Sequence, residues 1–75
     1  MPEEVRAVLE LHDLRAAYDA RPPYQRNDYV GWIERAVRPT TRISRIAQML
    51  DELRAGEGYM GMAWSPRRAR RRRTE

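Results

Sequence analysis

The prolines of this sequence decide most of what it can become. Pro22-Pro23 and Pro39 interrupt an otherwise helical apolar pattern, because a proline pushes the residue before it out of the helical region and is itself at home only in a first helical turn. The chain must therefore be built from short helices. Ahead of the first break, Pro2-Glu3-Glu4 opens a helix with a tolerated proline and two acids that complement the helix dipole. Val5, Val8 and Leu9 share one side of it, and Leu14, Ala17 and Tyr18 repeat the three-and-four spacing after a kink or cap near His12-Asp13. This stretch reads as two short helices, or one bent helix, ending before Arg21. Between the breaks a helix is expected from Pro23 to Val37, with Tyr29, Ile33, Ala36 and Val37 on its apolar stripe and Trp32 at the margin. Gly31 interrupts it. A glycine inside a helix costs roughly 1 kcal/mol relative to alanine, so a neighbour is expected to approach closely there. The clearest helix starts at Pro39 and runs to Ala55, with Ile43, Ile46, Ala47, Leu50 and Leu53 as its stripe, Met49 near the edge, and Gly56 and Gly58 as stop signals.

No stretch of strand period precedes residue 58, so helix packing must make the core. The expected fold is all-α, a compact bundle of three to four short helices around Val8, Leu9, Leu14, Tyr18, Tyr29, Ile33, Ala36, Ile43, Ile46, Ala47, Leu50 and Leu53. A chain of 75 residues is one domain at most and buries a modest share of its surface. Disulfides cannot reinforce it, since cysteine is absent, and a single His12 among scattered carboxylates builds no metal site. Residues 1–58 are read as the helical unit. Residues 59–66, with the apolar run Tyr59-Met60-Gly61-Met62-Ala63-Trp64, form a linker segment expected to dock on it, because free Met and Trp side chains would leave an exposed apolar patch. Residues 67–75 are read as a disordered basic tail, since like charge without an apolar partner does not pack.

The segment Pro22-Pro23-Tyr24-Gln25-Arg26-Asn27-Asp28-Tyr29-Val30-Gly31-Trp32-Ile33-Glu34-Arg35-Ala36, continuing through Arg38-Pro39-Thr40-Thr41-Arg42-Ile43-Ser44-Arg45-Ile46, resembles the helical region of the bacteriocin-protection, YdeI/OmpD-associated family. The most specific pieces are the Tyr-Val-x-Trp-Ile core at 29–33 and the Arg-Pro-x-Thr-Arg-x-x-Arg-Ile run at 38–46. The resemblance spans roughly residues 2–58. Tyr24, Val37 and Thr40 depart from its usual serine, lysine and glutamate. Many members carry a β-rich domain ahead of this helical part, which is not among these residues. The resemblance implies a link to an outer-membrane porin and to survival of bacteriocins or cationic peptides, with no agreed catalytic residues and no cofactor.

The net charge is +4, but residues 1–64 hold nine arginines against ten carboxylates, while residues 65–75 hold six arginines against Glu75. The body is close to neutral and the tail is basic. Catalysis is discounted, because the acids mostly sit at helical spacing from arginines, as in Arg6 and Glu10, Arg15 and Asp19, Glu34 and Arg38, Asp51 and Arg54, which makes surface pairs rather than an acid-base site. His12 reads as a solvent-facing or helix-end residue.

Three features remain as candidate binding sites. Arg38, Arg42 and Arg45 align along one side of the last helix, with Arg35 across the Pro39 break, where they clamp the helix junction or grip a partner. Trp32 and Tyr24 supply aromatic faces nearby, read as evenly split between packing and contact. The tail residues Arg67, Arg68, Arg70, Arg71, Arg72 and Arg73 could bind phosphates, without base-reading geometry of their own.

The expected function is a non-catalytic binding or adaptor module engaging an unknown protein partner, without a cofactor. The alternative is a small nucleic-acid-associated protein binding through its tail. Self-association is a third outcome, because one apolar stripe per short helix leaves little margin of stability. A start without a signal-like apolar stretch, and no segment long enough to span a bilayer, give no membrane insertion and a cytoplasmic location as the expectation.

Overall fold

The computed structural model describes residues 1–65; the arginine tail lies outside the described residues. Four helices follow in order, α1 (Glu3–Leu11), α2 (Arg15–Asp19), α3 (Pro23–Glu34) and α4 (Pro39–Ala55). The prolines act as helix starters. Pro23 and Pro39 are the first residues of α3 and α4, and Arg38 before Pro39 is extended, at φ −93° and ψ 140°, as the proline ring demands. The expected cap between α1 and α2 is also present: Asp13 adopts φ 56°, and the Leu14 N–H reaches back to the Leu9 carbonyl at 2.8 Å. His12 ends α1, exposed to solvent. At the far end Gly56, at φ 75°, donates its N–H to the carbonyls of Glu52 and Leu53. This left-handed helix end is one that glycine adopts without a Cβ penalty.

The fold is all-α among the described residues, with one isolated antiparallel bridge, Tyr59 to Met62. Helix α4 is its spine. Contacts pairing Trp32 with Arg45 and Tyr29 with Glu52 show that α3 runs antiparallel to α4, and α2 also packs on α4. The Glu4–Arg42 salt bridge joins α1 to the start of α4. Inside lie Val5, Leu9, Leu14, Tyr18, Tyr29, Ile33, Met49, Leu50, Leu53 and Tyr59, with Val8, Ala17, Ile46, Met60 and Trp64 partly buried against them. Surface pairs form as expected at Arg6–Glu10, Arg15–Asp19 and Asp51–Arg54.

Several expectations are corrected. Ile43 is 67% exposed and Ala47 faces solvent, while Met49 is fully buried. Apolar residues occupy more than one side of α4, so the side that becomes core depends on where α2 and α3 lie against it, and they select Met49, Leu50 and Leu53. Helix α3 stops at Glu34, short of Val37, which is 94% exposed. The antiparallel turn into α4 needs an extended Arg38 ahead of Pro39, and Arg35 to Val37 are spent on that reversal. Glu34 and Arg38 consequently do not share a helix and form no salt bridge. The neighbour at Gly31 is the side chain of Arg35, whose Nη1 would stand 3.1 Å from an added Cβ.

Candidate functional site

The α3–α4 junction gathers most of the sequence-predicted residues. Arg45, on the second turn of α4, donates from Nη1 to the Trp32 carbonyl at 2.6 Å, and its guanidinium lies over the Trp32 ring, 5.3 Å from the ring centroid. The last carbonyls of a helix have no intrahelical donor. Arg45 therefore satisfies the end of α3 with a cation where the helix dipole is negative. Arg42 instead pairs with Glu4 of α1, and the hydrogen bond to that carboxylate holds its guanidinium above the ordinary arginine pKa. Arg38 caps the start of α4 through its backbone, and its exposed side chain makes no hydrogen bond or salt bridge among the described residues. The row thus divides into two clamps and one free guanidinium. Replacing Arg45 with alanine should lower stability by roughly 1–2 kcal/mol, from one charge-assisted hydrogen bond and one cation–π contact. Urea unfolding followed by helical circular dichroism measures this, and Arg42→Ala, losing an exposed pair, should leave the midpoint nearly unchanged.

Tyr24 is not part of this junction. It sits in the first turn of α3, 55% exposed, where its ring meets Tyr59 edge-on at 5.8 Å and its hydroxyl accepts from Gln25 Nε2 at 3.0 Å. The tail candidates Arg67, Arg68, Arg70, Arg71, Arg72 and Arg73 lie outside the described residues.

A second cluster, at the opposite end of α3, escaped sequence reasoning. Arg21 is only 4% exposed and Gln25 not at all. From Arg21, Nη1 donates to the Gly58 carbonyl at 2.6 Å and to Gln25 Oε1 at 3.1 Å, Nη2 donates to the Glu52 carbonyl at 3.0 Å, and the guanidinium covers the Trp64 ring at 4.4 Å. Beside it the Glu52 carboxylate uses both oxygens. One accepts from the Tyr29 hydroxyl and the Met60 N–H at 2.8 Å; the other accepts from the Gly61 N–H at 2.8 Å and Gln48 Nε2 at 3.3 Å. Two adjacent N–H groups point at one carboxylate because Met60 and Gly61 both have positive φ, 50° and 82°, the backbone of a tight two-residue turn between Tyr59 and Met62.

Electrostatics follow from this packing. Burial pushes Glu52 up, but the bonds from Tyr29, Gly61, Met60 and Gln48 outweigh it and hold the carboxyl below its ordinary range. Tyr29 and Tyr59 are pushed up, first by burial and then by hydrogen bonds to the Glu52 and Asp28 carboxylates. The Tyr59 ring stands edge-on to Tyr29 as well as Tyr24. The sequence signal for this cluster was weak: Arg21 falls at the α2–α3 break, outside any periodic pattern, and a residue followed by glycine between Tyr59 and Met62 is a modest hairpin signal.

An open polar groove between α2 and α3, of about 470 Å³, is lined by Arg15, Asp19, Arg26, Asn27 and Glu34 among others. Its charges are mixed, and Arg26 Nε is buried without a hydrogen-bond partner among the described residues. No helix among the described residues is long and apolar enough to cross a membrane, and those residues hold no group of three metal-ligating side chains.

Comparison with known proteins returns one finding: a family model described as "Bacteriocin-protection, YdeI or OmpD-Associated" matches residues 1–56. No curated protein and no solved structure matches the chain.

Proposed function

Because the chain belongs to the bacteriocin-protection, YdeI or OmpD-associated family, we propose that it is a non-catalytic binding module that contributes to bacteriocin or antimicrobial-peptide protection by engaging a protein partner at the α3–α4 junction. One observation carries this reading. Val37 and Ile43 are 94% and 67% exposed at the junction where Arg38 is unpaired and Trp32 is half-covered by Arg45. Large apolar side chains beside the Arg38 guanidinium suit a partner segment that combines apolar anchors with a carboxylate. The guanidinium gives orientation and the apolar contacts give affinity.

A photo-crosslinking residue at position 37 or 43, in cells challenged with a bacteriocin, should trap the same species from both positions. Arg38→Glu should abolish that product, and a probe at the exposed Ala16 should not give it. Cells lacking the protein and complemented with Ile43→Glu should survive the challenge no better than uncomplemented cells, provided the variant is folded. Full survival with that variant would sink the proposal.

The second reading, nucleic-acid association, draws on the concentration of six arginines after residue 66. If all six contact duplex phosphates, the logarithm of the affinity should fall with the logarithm of salt concentration at a slope of about −5. Fluorescence anisotropy with the full chain and with residues 1–66 separates the two readings, since removing the tail should abolish nucleic-acid binding and leave the junction contact intact.

A further inference from the structure

The face made by Arg21, Tyr24, Asp28, Tyr29 and Glu52 lies within the family-matched residues 1–56, whereas the segment seated on it, Gly58 to Trp64, lies beyond them. We propose that this face is a peptide-binding site, filled in cis by residues 58–64 and open, when that segment leaves, to a partner peptide of the same chemistry. That chemistry is a tyrosine followed by a two-residue turn presenting consecutive backbone N–H groups.

The segment is held as a bound peptide is held. Its Gly58 carbonyl is gripped by Arg21, and its Met60 and Gly61 N–H groups meet the Glu52 carboxylate. These contacts read the shape of a backbone and tolerate many side chains. Selectivity comes from Tyr59, whose ring enters between Tyr24 and Tyr29 and whose hydroxyl donates to Asp28, and from the aromatic face of Trp64 under Arg21. The segment does not fill the site. Beside Trp64 an apolar notch of about 170 Å³ remains between Ala17, Ala20, Leu53 and Gly56, room for a further apolar group next to the indole. The covalent tie is the short stretch Gly56–Gly58, with both glycines at positive φ, 75° and 87°. Such a tether holds the segment at an effective concentration on the order of millimolar. An outside peptide therefore enters only when the tether is released or its own affinity is high.

The test places a protease site at the exposed Glu57 of the full chain and cuts it in the folded protein. A fluorescein-labelled peptide of residues 58–65 is then titrated by anisotropy. The cut protein should bind it saturably and release it to unlabelled peptide, and the uncut protein should not bind at the same micromolar concentrations. A peptide carrying Tyr59→Ala, or a cut protein carrying Glu52→Gln, should bind at least about tenfold more weakly. Ile43→Glu should leave peptide binding unchanged, which separates this site from the junction. Loss of the helical signal on cutting would show that residues 58–64 are an indispensable part of the core, and would overturn the proposal. Retained helices with no saturable binding, or undiminished binding of the Tyr59→Ala peptide, would overturn it equally.

Discussion

Replacing Arg21 with alanine should lower the stability of the protein by about 3 kcal/mol or more, because a buried cation satisfying several acceptors at once is removed. The Gly58 and Glu52 carbonyls and the Gln25 amide oxygen would each lose a charged donor, and Gln25 is fully buried. Water reaches such groups only if the packing around them opens. A domain of this length has on the order of 4–11 kcal/mol in total, so the loss is a large fraction of what holds it folded. Arg21→Lys should recover less than half of the deficit. An ammonium keeps the charge but lacks the planar fork that reaches two helices' worth of acceptors and stacks on Trp64 at the same time. Urea unfolding at neutral pH, followed by circular dichroism, measures both variants; an alanine variant within about 1 kcal/mol of the parent would show that solvent replaces these bonds with little penalty.

The second large effect belongs to Glu52 and is read through pH. Its folded pKa lies below the ordinary carboxyl value because the hydrogen bonds to its charged form outweigh burial. A depressed folded pKa means that the stabilisation is fully present above the unfolded value of about 4.3 and disappears as pH falls through the folded one. Acidification below about pH 4 should therefore release the Tyr59–Met62 turn first. In a Trp32→Phe background the emission of Trp64 reports this release, and it should shift before the helical signal is lost. Glu52→Gln should reduce stability at neutral pH by about 2 kcal/mol, an amount suited to hydrogen bonds with a charged, partly solvated acceptor. Both carboxylate oxygens accept, and an amide would turn an NH₂ toward donors on one side. The same substitution should erase the acid-induced step in Trp64 emission. A step of unchanged size in the glutamine variant would assign the transition to another carboxylate.

These two residues show where sequence reading reaches its limit. The helix starts at Pro23 and Pro39, the left-handed stop at Gly56, the cap near His12-Asp13 and the family resemblance were all legible, because each rests on local backbone chemistry or on a contiguous motif. The functional readings of Arg38, Arg42, Arg45, Trp32 and Tyr24 started from one shared assumption, that neighbours in sequence stay neighbours in space. It holds for Trp32 and Arg45, which meet across the antiparallel pair, and fails for Tyr24, carried to the far end of α3 and placed against Tyr59.

What the sequence determined by itself was therefore the helix starts at Pro23 and Pro39 and the stop at Gly56, since proline and glycine act on the φ and ψ of their own and adjacent residues, while the end of α3 at Glu34 was set by the turn into α4. What only the tertiary structure decided was which side of each helix is inside. Ile43 and Met49 are both apolar residues of one helix, and the first is exposed while the second is buried, because α2 and α3 cover one side of α4 and not the other. The burial of Arg21 has the same origin. An arginine is expected outside unless acceptors surround it, and its acceptors come from residues 25, 52 and 58, brought together only when the last turn of α4 and the segment after it fold back across the start of α3.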